Sequence, residues 1–143
     1  MAGSQSTKIT EALRELQAFE KKAEALVRDP KSDHIDSSVI GSLRDAGLQA
    51  DEIRIVLFPQ SKTSSLDDVG PTLDLDESDR AYRLTRIVLL ANRIFGDSTK
   101  AFLWLRMNNA TLGGKTPIAS LESETGSRLV EELLIRIDHG IAA

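Results

Sequence analysis

The amino-acid sequence predicts an all-α fold made of several helices. Apolar residues recur at three- and four-residue steps along successive stretches, which is the spacing of one helix face. Capping residues, glycines and prolines separate these stretches at the places where helices begin and end. Of the 143 residues, 41% are hydrophobic and 28% are charged, which suits a packed core beneath a polar surface. We therefore expect a small helical protein.

Composition argues against several classes of function. The sequence contains no cysteine, and neither His34 nor His139 has a second histidine at ligand spacing, so we expect no metal site. No grouping of titratable residues suggests an active site, and we expect neither a cofactor nor enzymatic activity. A formal charge of −4 favours a protein partner over nucleic acid. The absence of a signal peptide and of a membrane-length apolar run predicts a cytoplasmic protein without a membrane partner.

The N-terminal part predicts one long helix. Residues 1–7 are small and polar, and we expect them to be disordered because they offer little apolar surface to offset the entropy of ordering. Residues 8–29 predict an amphipathic helix that stops at Asp29-Pro30. Its apolar stripe consists of Ile9, Ala12, Leu13, Leu16, Phe19, Ala23, Leu26 and Val27. Such a helix packs either against the rest of the chain or against a second copy, which would make a homodimer.

Residues 31–75 predict a helix-turn-helix region. Three short helices follow one another with tight turns: one capped by Ser37 and closed by Gly47, one from Asp51 to Phe58, and one from Ser61 to Asp68. The third helix would enter a DNA groove, and its candidate contact residues are Lys62, Thr63, Ser64 and Ser65. Two aspartates at the end of this helix would repel the DNA backbone. Packing, or pairing with another protein, is therefore an alternative role for this region.

Residues 76–143 begin with the candidate central helix of the core. This helix starts at the acidic turn Asp76-Glu77 and runs to Gly96, with its apolar residues on one face. Asp97 or Ser98 can cap the next helix, which carries most of the scarce aromatic side chains. Its tryptophan, Trp104, belongs either to the core or to an interface.

The last part of the chain predicts a loop followed by two helices. The loop 107–115 is rich in asparagine and glycine, and Thr116-Pro117 is the N-cap and first-turn proline of a short helix. The final helix starts at Ser123 or Thr125 and ends at Gly140. Its inward stripe is predicted to contain Leu129, Val130, Leu133, Leu134 and Ile137.

The run Gly114-Lys115-Thr116 has the appearance of a phosphate-binding loop. Such a loop needs a glycine five residues before Gly114, a preceding strand and a helix that receives the phosphates. Position 109 is asparagine, and no strand is predicted before it. We therefore predict a helix cap rather than a nucleotide site.

Several spaced elements of the C-terminal part occur in a recognisable order. They are Leu84 to Arg93, Ile94-Phe95-Gly96-Asp97, Ala101, Trp104-Leu105, Asn108, Leu112 to Pro117, Leu121, Gly126, Val130, Leu133 and Arg136-Ile137 to Gly140. In this order, residues 76–143 resemble the toxin-binding domain of the Xre/MbcA/ParS-type antitoxins. Residues 31–75 are similar, more loosely, to the Xre-like helix-turn-helix region of the same proteins, here in a degenerate form.

The resemblance implies an antitoxin that inhibits a RES-type toxin acting on NAD, either by degrading NAD or by transferring ADP-ribose. Family members bind the toxin through the C-terminal domain, direct the chain end toward its active site, and in many cases repress their own operon. Combined with the helix pattern, the resemblance favours a homodimer within a hetero-oligomeric complex with the toxin. The toxin-binding residues would be Asn108, Leu112, Gly113, Gly114, Lys115, Thr116, Arg136, His139, Gly140, Ile141, Ala142 and Ala143.

The expected mechanism is occlusion of the toxin's NAD cleft by Gly140 to Ala143. A terminal carboxylate there would pair with arginines that otherwise hold the NAD phosphates, because arginine binds both groups with the same geometry. Two other hypotheses remain. One is a DNA-binding repressor of the Xre type without a toxin-blocking role, which would need a basic recognition face. The other is an enzyme, which would need a convergent set of titratable groups.

Overall fold

The computed structural model describes residues 2–28, 35–59 and 65–140, and within these ranges almost all of the regular secondary structure is helical. This confirms the predicted all-α class. The helices are α1 (Ala2–Arg28), α2 (Val39–Ala46), α3 (Ala50–Leu57), α4 (Leu75–Phe95), α5 (Ser98–Leu105), α6 (Pro117–Ser120) and α7 (Glu124–Asp138), with 3₁₀ helices at Leu66–Asp68 and Ala110–Leu112 and two-residue strands β1 (Ile35–Asp36) and β2 (Thr72–Leu73).

Helix α4 lies at the centre of the core, as its apolar spacing predicts. It packs against α1, α3, α5 and α7, and Leu84 and Val88 on its inner face are fully buried. A capping box starts the helix: the Asp74 side chain accepts from the Glu77 N–H at 2.8 Å, and the Glu77 carboxylate accepts from the Asp74 N–H at 2.9 Å. Gly96 ends it in the left-handed conformation, at φ 69°.

Helix α1 packs against α2 and α4 of the same chain. Ala12, Leu16 and Ala23 from its predicted stripe are buried. The helix begins at Ala2, so residues 2–7, which the composition predicts to be disordered, are helical in the structure. Adding a residue to an existing helix gains one backbone hydrogen bond without a new nucleation step, which offsets the weak propensities of these small polar residues.

The first two helices predicted for residues 31–75 are present, whereas the described part of the third, residues 65–68, is not an α-helix. Helices α2 and α3 are joined by three residues, and Gly47 at the end of α2 has φ 125°. The helix predicted from Ser61 to Asp68 is wrong for residues 65–68, which form one extended residue and a 3₁₀ helix. Ser65 caps the start of this 3₁₀ helix, because its hydroxyl accepts a hydrogen bond from the Asp67 N–H at 3.2 Å. Residues 61–64 lie outside the described residues.

A short antiparallel pairing of β1 with β2 joins the two ends of this region, and the sequence did not predict it. Ile35 pairs with Leu73, and Asp36 pairs with Thr72. The cap of α2 also differs from the prediction, because Ser38 rather than Ser37 precedes the helix and makes no side-chain cap bond. The Asp36 carboxylate instead accepts from the Ser38 N–H at 2.8 Å.

The C-terminal helices start at the predicted caps. The side chains of Asp97, Thr116 and Ser123 accept hydrogen bonds from the first turns of α5, α6 and α7. The stripe predicted for α7 is too wide, because Leu129 is 37% exposed while Val130, Leu133 and Leu134 are buried. The helix packs mainly on α4 and α6, so a narrow face is enough to cover the core.

Candidate protein-binding surface

Asn109 organises the loop between α5 and α6. Its side chain accepts from the Thr111 N–H at 2.9 Å, and its carbonyl accepts from the N–H groups of Leu112 and Gly114, each at 3.0 Å. Its own N–H donates to the Lys115 carbonyl at 3.0 Å, which closes the loop. These bonds fix the loop on both sides of its tip. The loop therefore presents a defined surface.

The loop reverses at two consecutive glycines. Gly113 has φ 70° and Gly114 has φ 83°, a left-handed region that side chains with a Cβ disfavour. Neither glycine would meet another atom within 4 Å if it carried a Cβ, so the requirement is conformational and not steric. The tip is exposed at Gly113, Gly114 and Lys115. These three residues are accessible to a partner.

Leu112 anchors the loop to the body of the protein. Its side chain is 8% exposed and belongs to the core, and the 3₁₀ helix that contains it packs against α7. Thr116 also has a structural role, because its hydroxyl caps α6 by accepting a hydrogen bond from the Ala119 N–H at 3.2 Å. Of the predicted loop residues, Leu112 and Thr116 hold the loop in place, whereas Asn108 and Lys115 are exposed.

The predicted contact residues fall into two groups at opposite ends of α7. The Lys115 ammonium lies 3.7 Å from the Glu122 carboxylate, just before the start of that helix. Arg136, His139 and Gly140 are exposed at its other end. A helix of 15 residues is about 22 Å long at about 1.5 Å per residue. Residues 141–143, which include the predicted contacts Ile141, Ala142 and Ala143, lie outside the described residues.

Of the predicted DNA contacts, only Ser65 belongs to the described part of the chain. It is half-buried, and its hydroxyl is occupied in capping the 3₁₀ helix Leu66–Asp68. Lys62, Thr63 and Ser64 are not among the described residues. The structure therefore gives no groove-facing helix at residues 65–68.

A clamp formed by Arg106 and Glu52 joins the end of α5 to the first turn of α3 and to Gly47 in the turn before it, and it was not predicted from the sequence. The guanidinium donates to Glu52 through Nε at 2.8 Å and Nη2 at 2.9 Å, and Nη2 also donates to the Gly47 carbonyl at 2.8 Å. It lies over the Phe102 ring, 4.6 Å from the centroid. The Phe102 ring packs so closely on Gly47 that a Cβ there would lie 2.8 Å from it.

The clamp changes the acidity of Glu52. Burial of its carboxyl by itself raises the pKa, but hydrogen bonds from Arg106 and from the Gln49 N–H, together with the charge of Arg106, hold that pKa below 4.5. The hydrogen bond to Glu52 in turn raises the pKa of Arg106. Both groups therefore stay charged near neutral pH, and the clamp joins the helix-turn-helix region to the helix that precedes the loop.

Trp104 belongs partly to the core. It is half-buried and packs against Phe95 at the end of α4, with ring centroids 6.1 Å apart. Within the described ranges, no group of three or more candidate side chains could hold a metal ion. No helix in those ranges is long and apolar enough to cross a membrane.

Comparison with known proteins finds a family match in the C-terminal part of the chain. A family model described as the antitoxin Xre/MbcA/ParS C-terminal toxin-binding domain matches residues 90–140. A protein from Pseudomonas putida named Antitoxin Xre is 32% identical over 98 residues, which are 68% of this chain and 62% of that protein.

Two further relatives carry the same name. The protein from Yersinia enterocolitica is 37% identical over 67 residues, 46% of this chain and 45% of its own length. The protein from Photorhabdus laumondii is 39% identical over 69 residues, 48% of this chain and 47% of its own length. This chain thus spans about three fifths of the first relative's length and just under half of the other two.

Proposed function

We propose that this chain, which belongs to the Xre/MbcA/ParS-type antitoxin family, is the antitoxin of a toxin–antitoxin system. One observation carries the proposal: the toxin-binding domain model covers residues 90–140, from the end of α4 through α7. This segment contains the loop that Asn109 fixes and that Gly113 and Gly114 turn outward. A fixed, exposed loop costs little entropy when it binds, which suits a protein-binding surface. The chain would then act by binding and not by catalysis.

The test is co-expression with the product of the reading frame next to this gene. That product alone should arrest growth, and growth should return when this chain is produced with it. The two proteins should also co-purify. Growth arrest that persists at equal expression of a folded chain would refute the antitoxin function.

We propose further that the toxin is of the RES type and acts on NAD, as the family resemblance implies. Purified toxin should consume NAD, and this chain should stop that consumption. Labelled NAD separates the two chemistries, because hydrolysis releases free ADP-ribose whereas a transferase attaches the label to a protein. A toxin that inhibits growth without touching NAD in either assay would exclude the RES assignment.

We propose that the segment from Gly140 to Ala143 enters the toxin's active-site cleft. Gly140 ends α7 in the left-handed conformation, at φ 75°, and is exposed, so this end of the helix is accessible to a partner. Deleting residues 140–143 should abolish inhibition of the toxin while co-purification persists through the loop. An Arg136→Ala variant is the matched control, since it should lower affinity while inhibition remains complete at saturation. Full inhibition by the truncated chain would contradict occlusion.

A second candidate activity is repression of the chain's own operon. The observation that favours it is the pair α2 and α3, joined by a three-residue turn containing Gly47, which is the spacing of a helix-turn-helix motif. Asp51, which is exposed in the first turn of α3, opposes it, because a carboxylate repels DNA phosphates. The test titrates this chain with DNA from upstream of the operon and, separately, with a scrambled sequence of equal length. Tighter binding to the upstream DNA would support repression, and equal binding to both would exclude it. Sequence-specific binding without toxin inhibition would instead indicate a repressor that lacks a toxin-blocking role.

We propose that the chain forms a homodimer within a hetero-oligomeric complex with the toxin. The apolar face of α1 is only partly used by the same chain: Ala12 and Leu16 are buried, whereas Leu13 and Phe19 are half-buried. Light scattering on the separated chain and on the co-purified complex measures both masses. A monomeric mass across the working concentration range would exclude the homodimer.

A further inference from the structure

A groove runs between α1 and α2, in the part of the chain that precedes the match to the toxin-binding domain. Its α1 wall consists of Glu15, Ala18, Phe19 and Lys22. The opposite wall comes from β1 and α2, where Ile35 and Val39 are buried. Gly41 lies on this second wall, and a Cβ there would meet no other atom within 4 Å. The groove therefore has an apolar base and room for an occupant.

The four α1 residues of the groove form one continuous helix face. They occupy positions i, i+3, i+4 and i+7, which lie side by side over two turns. Glu15, Ala18 and Lys22 are exposed, and Phe19 is half-buried. This face is therefore open to a second helix that runs along α1.

The two ends of this face carry opposite charges that are not paired with each other. Glu15 and Lys22 are two turns apart, about 10 Å along the helix axis, which is too far for an ion pair. Neither side chain has an ion-pair partner among the described residues. The Glu15 carboxylate accepts a hydrogen bond from the Ser42 hydroxyl at 2.6 Å, which holds it at the groove.

The other two carboxylates that line the groove already have partners in the same chain. Asp45 forms an ion pair with Lys8 at 3.4 Å. Asp36 accepts a hydrogen bond from the Ser38 N–H at 2.8 Å. Glu15 and Lys22 are therefore the charges of this groove that are left for a partner to neutralise.

The sequence of this face is complementary to itself in an antiparallel pair. Around a two-fold axis that crosses between Ala18 and Phe19, Glu15 of either copy lies opposite Lys22 of the other. Ala18 likewise lies opposite Phe19, a small side chain facing a large one. In a parallel pair Glu15 would face Glu15, and like charges brought together weaken an interface. The order of residues thus favours a second copy of this chain as the occupant.

We infer that α1 pairs in the antiparallel direction with α1 of a second copy at this groove, and that Glu15 of each copy forms an ion pair with Lys22 of the other. The inference rests on the homodimer proposed above and adds its orientation and its contacts. The paired face lies outside residues 90–140, so neither toxin-binding domain supplies residues to it.

The test measures the dissociation constant of the dimer by sedimentation for Glu15→Lys, Lys22→Glu and the double variant. Each single reversal places like charges opposite each other twice in a dimer, and should weaken dimerisation at least about 10-fold. The double variant restores both attractions and should return to within about 3-fold of the unmodified chain. An equimolar mixture of the two single variants should also associate, because each then meets the opposite charge on the other.

Lys21→Glu is the matched control for Lys22→Glu. Lys21 is the adjacent exposed lysine of α1, and it does not line the groove. The control changes the net charge by the same amount and should alter dimerisation less than about 3-fold. Raising the salt concentration should reduce the effect of the two single reversals, because salt screens exposed charges. Unchanged helical circular dichroism verifies that all variants are folded.

The possible results separate this pairing from the homodimer itself. A dimer that tolerates both reversals as well as it tolerates Lys21→Glu would overturn the antiparallel pairing and leave the homodimer in place. Weakening by both reversals without recovery in the double variant would also overturn it, since the two residues would then not face each other. If Glu15→Lys instead weakens toxin binding and leaves the dimer unchanged, the occupant is the toxin and the inference is wrong. A monomeric unmodified chain would overturn both the pairing and the homodimer, whereas the antitoxin function is tested separately by rescue of growth.

Discussion

Replacing Arg106 by alanine should loosen the connection between the two halves of the chain. The guanidinium donates two hydrogen bonds to Glu52 and one to the Gly47 carbonyl, all between 2.8 and 2.9 Å. It also stacks on Phe102, 4.6 Å from the ring centroid. The alanine variant removes all of these contacts together and leaves the sequence of α5, which ends at Leu105, unchanged.

The expected loss in free energy of unfolding is about 2 kcal/mol, between the roughly 0.2–1 kcal/mol of an exposed ion pair and the roughly 3–5 kcal/mol of a broken buried pair. The clamp lies between these limits because 36% of the Arg106 side chain and 17% of the Glu52 side chain are exposed. Glu52 also keeps its hydrogen bond from the Gln49 N–H at 2.8 Å, which reduces the penalty. For a chain of this size, such a loss lowers Tm by about 4–8 °C.

Urea unfolding and thermal melting of the Arg106→Ala variant measure this loss. Arg128→Ala is the matched control, because it breaks an ion pair with Glu124 at 3.0 Å whose side chains are 74% and 73% exposed. The control should lose less than about 0.5 kcal/mol. If both variants lose the same free energy, the clamp is no stronger than a surface pair and the reasoning is refuted.

The pH dependence of the clamp follows from the acidity of Glu52. Although burial opposes it, the hydrogen bonds and charge of Arg106 give Glu52 a lower pKa in the folded chain than its usual 4.5. Its stabilising contribution is therefore complete above about pH 4.5 and is lost as the pH falls through the folded pKa. The difference in unfolding free energy between the unmodified chain and Glu52→Gln should be constant near neutral pH and shrink in acid. A difference that grows in acid would contradict this sign.

Three other predictions concern single residues. A Cβ at Gly126 would lie 2.0 Å from the Ser120 carbonyl oxygen, so Gly126→Ala should cost at least about 3 kcal/mol in urea unfolding or prevent folding. Asn109→Ala should lose about 1 kcal/mol of unfolding free energy through its cap, whereas Asn108→Ala should lose almost none. Tyr82, the only tyrosine, should ionise above pH 10.0 in an ultraviolet absorbance titration, because burial and then the charge of a neighbouring glutamate raise its pKa.

The sequence predicted the C-terminal helices well because their ends depend on local chemistry. Asp97, Thr116 and Ser123 each cap a helix through a hydrogen bond to a residue two or three positions ahead. Gly96 ends α4 in the left-handed conformation, which glycine adopts without strain. Signals of this kind lie within a few residues of the element they define, so one sequence is sufficient to detect them.

The features that the sequence did not predict depend on contacts between distant residues. Ile35 pairs with Leu73, and two-residue strands are too short to show an alternating pattern. The clamp joins Arg106 to Glu52, and neither residue differs in sequence from an ordinary surface charge. Asn109 is an intermediate case. An asparagine whose side chain accepts from the N–H two residues ahead is a local signal, whereas the bond from its own N–H to the Lys115 carbonyl is not visible in the sequence.

The distance between the loop and Gly140 determines how their contributions to toxin binding and to toxin inhibition should combine. Lys115 lies beside the start of α7, and the helix carries Gly140 about 20 Å away along a rigid axis. A toxin that contacts both ends needs an interface of the usual size, about 800 Å² on each partner. Sites more than about 10 Å apart without shared partners contribute additively to free energy. Loop variants and deletion of residues 140–143 should therefore multiply their effects on affinity when combined, whereas only the deletion should release the toxin's activity at saturation.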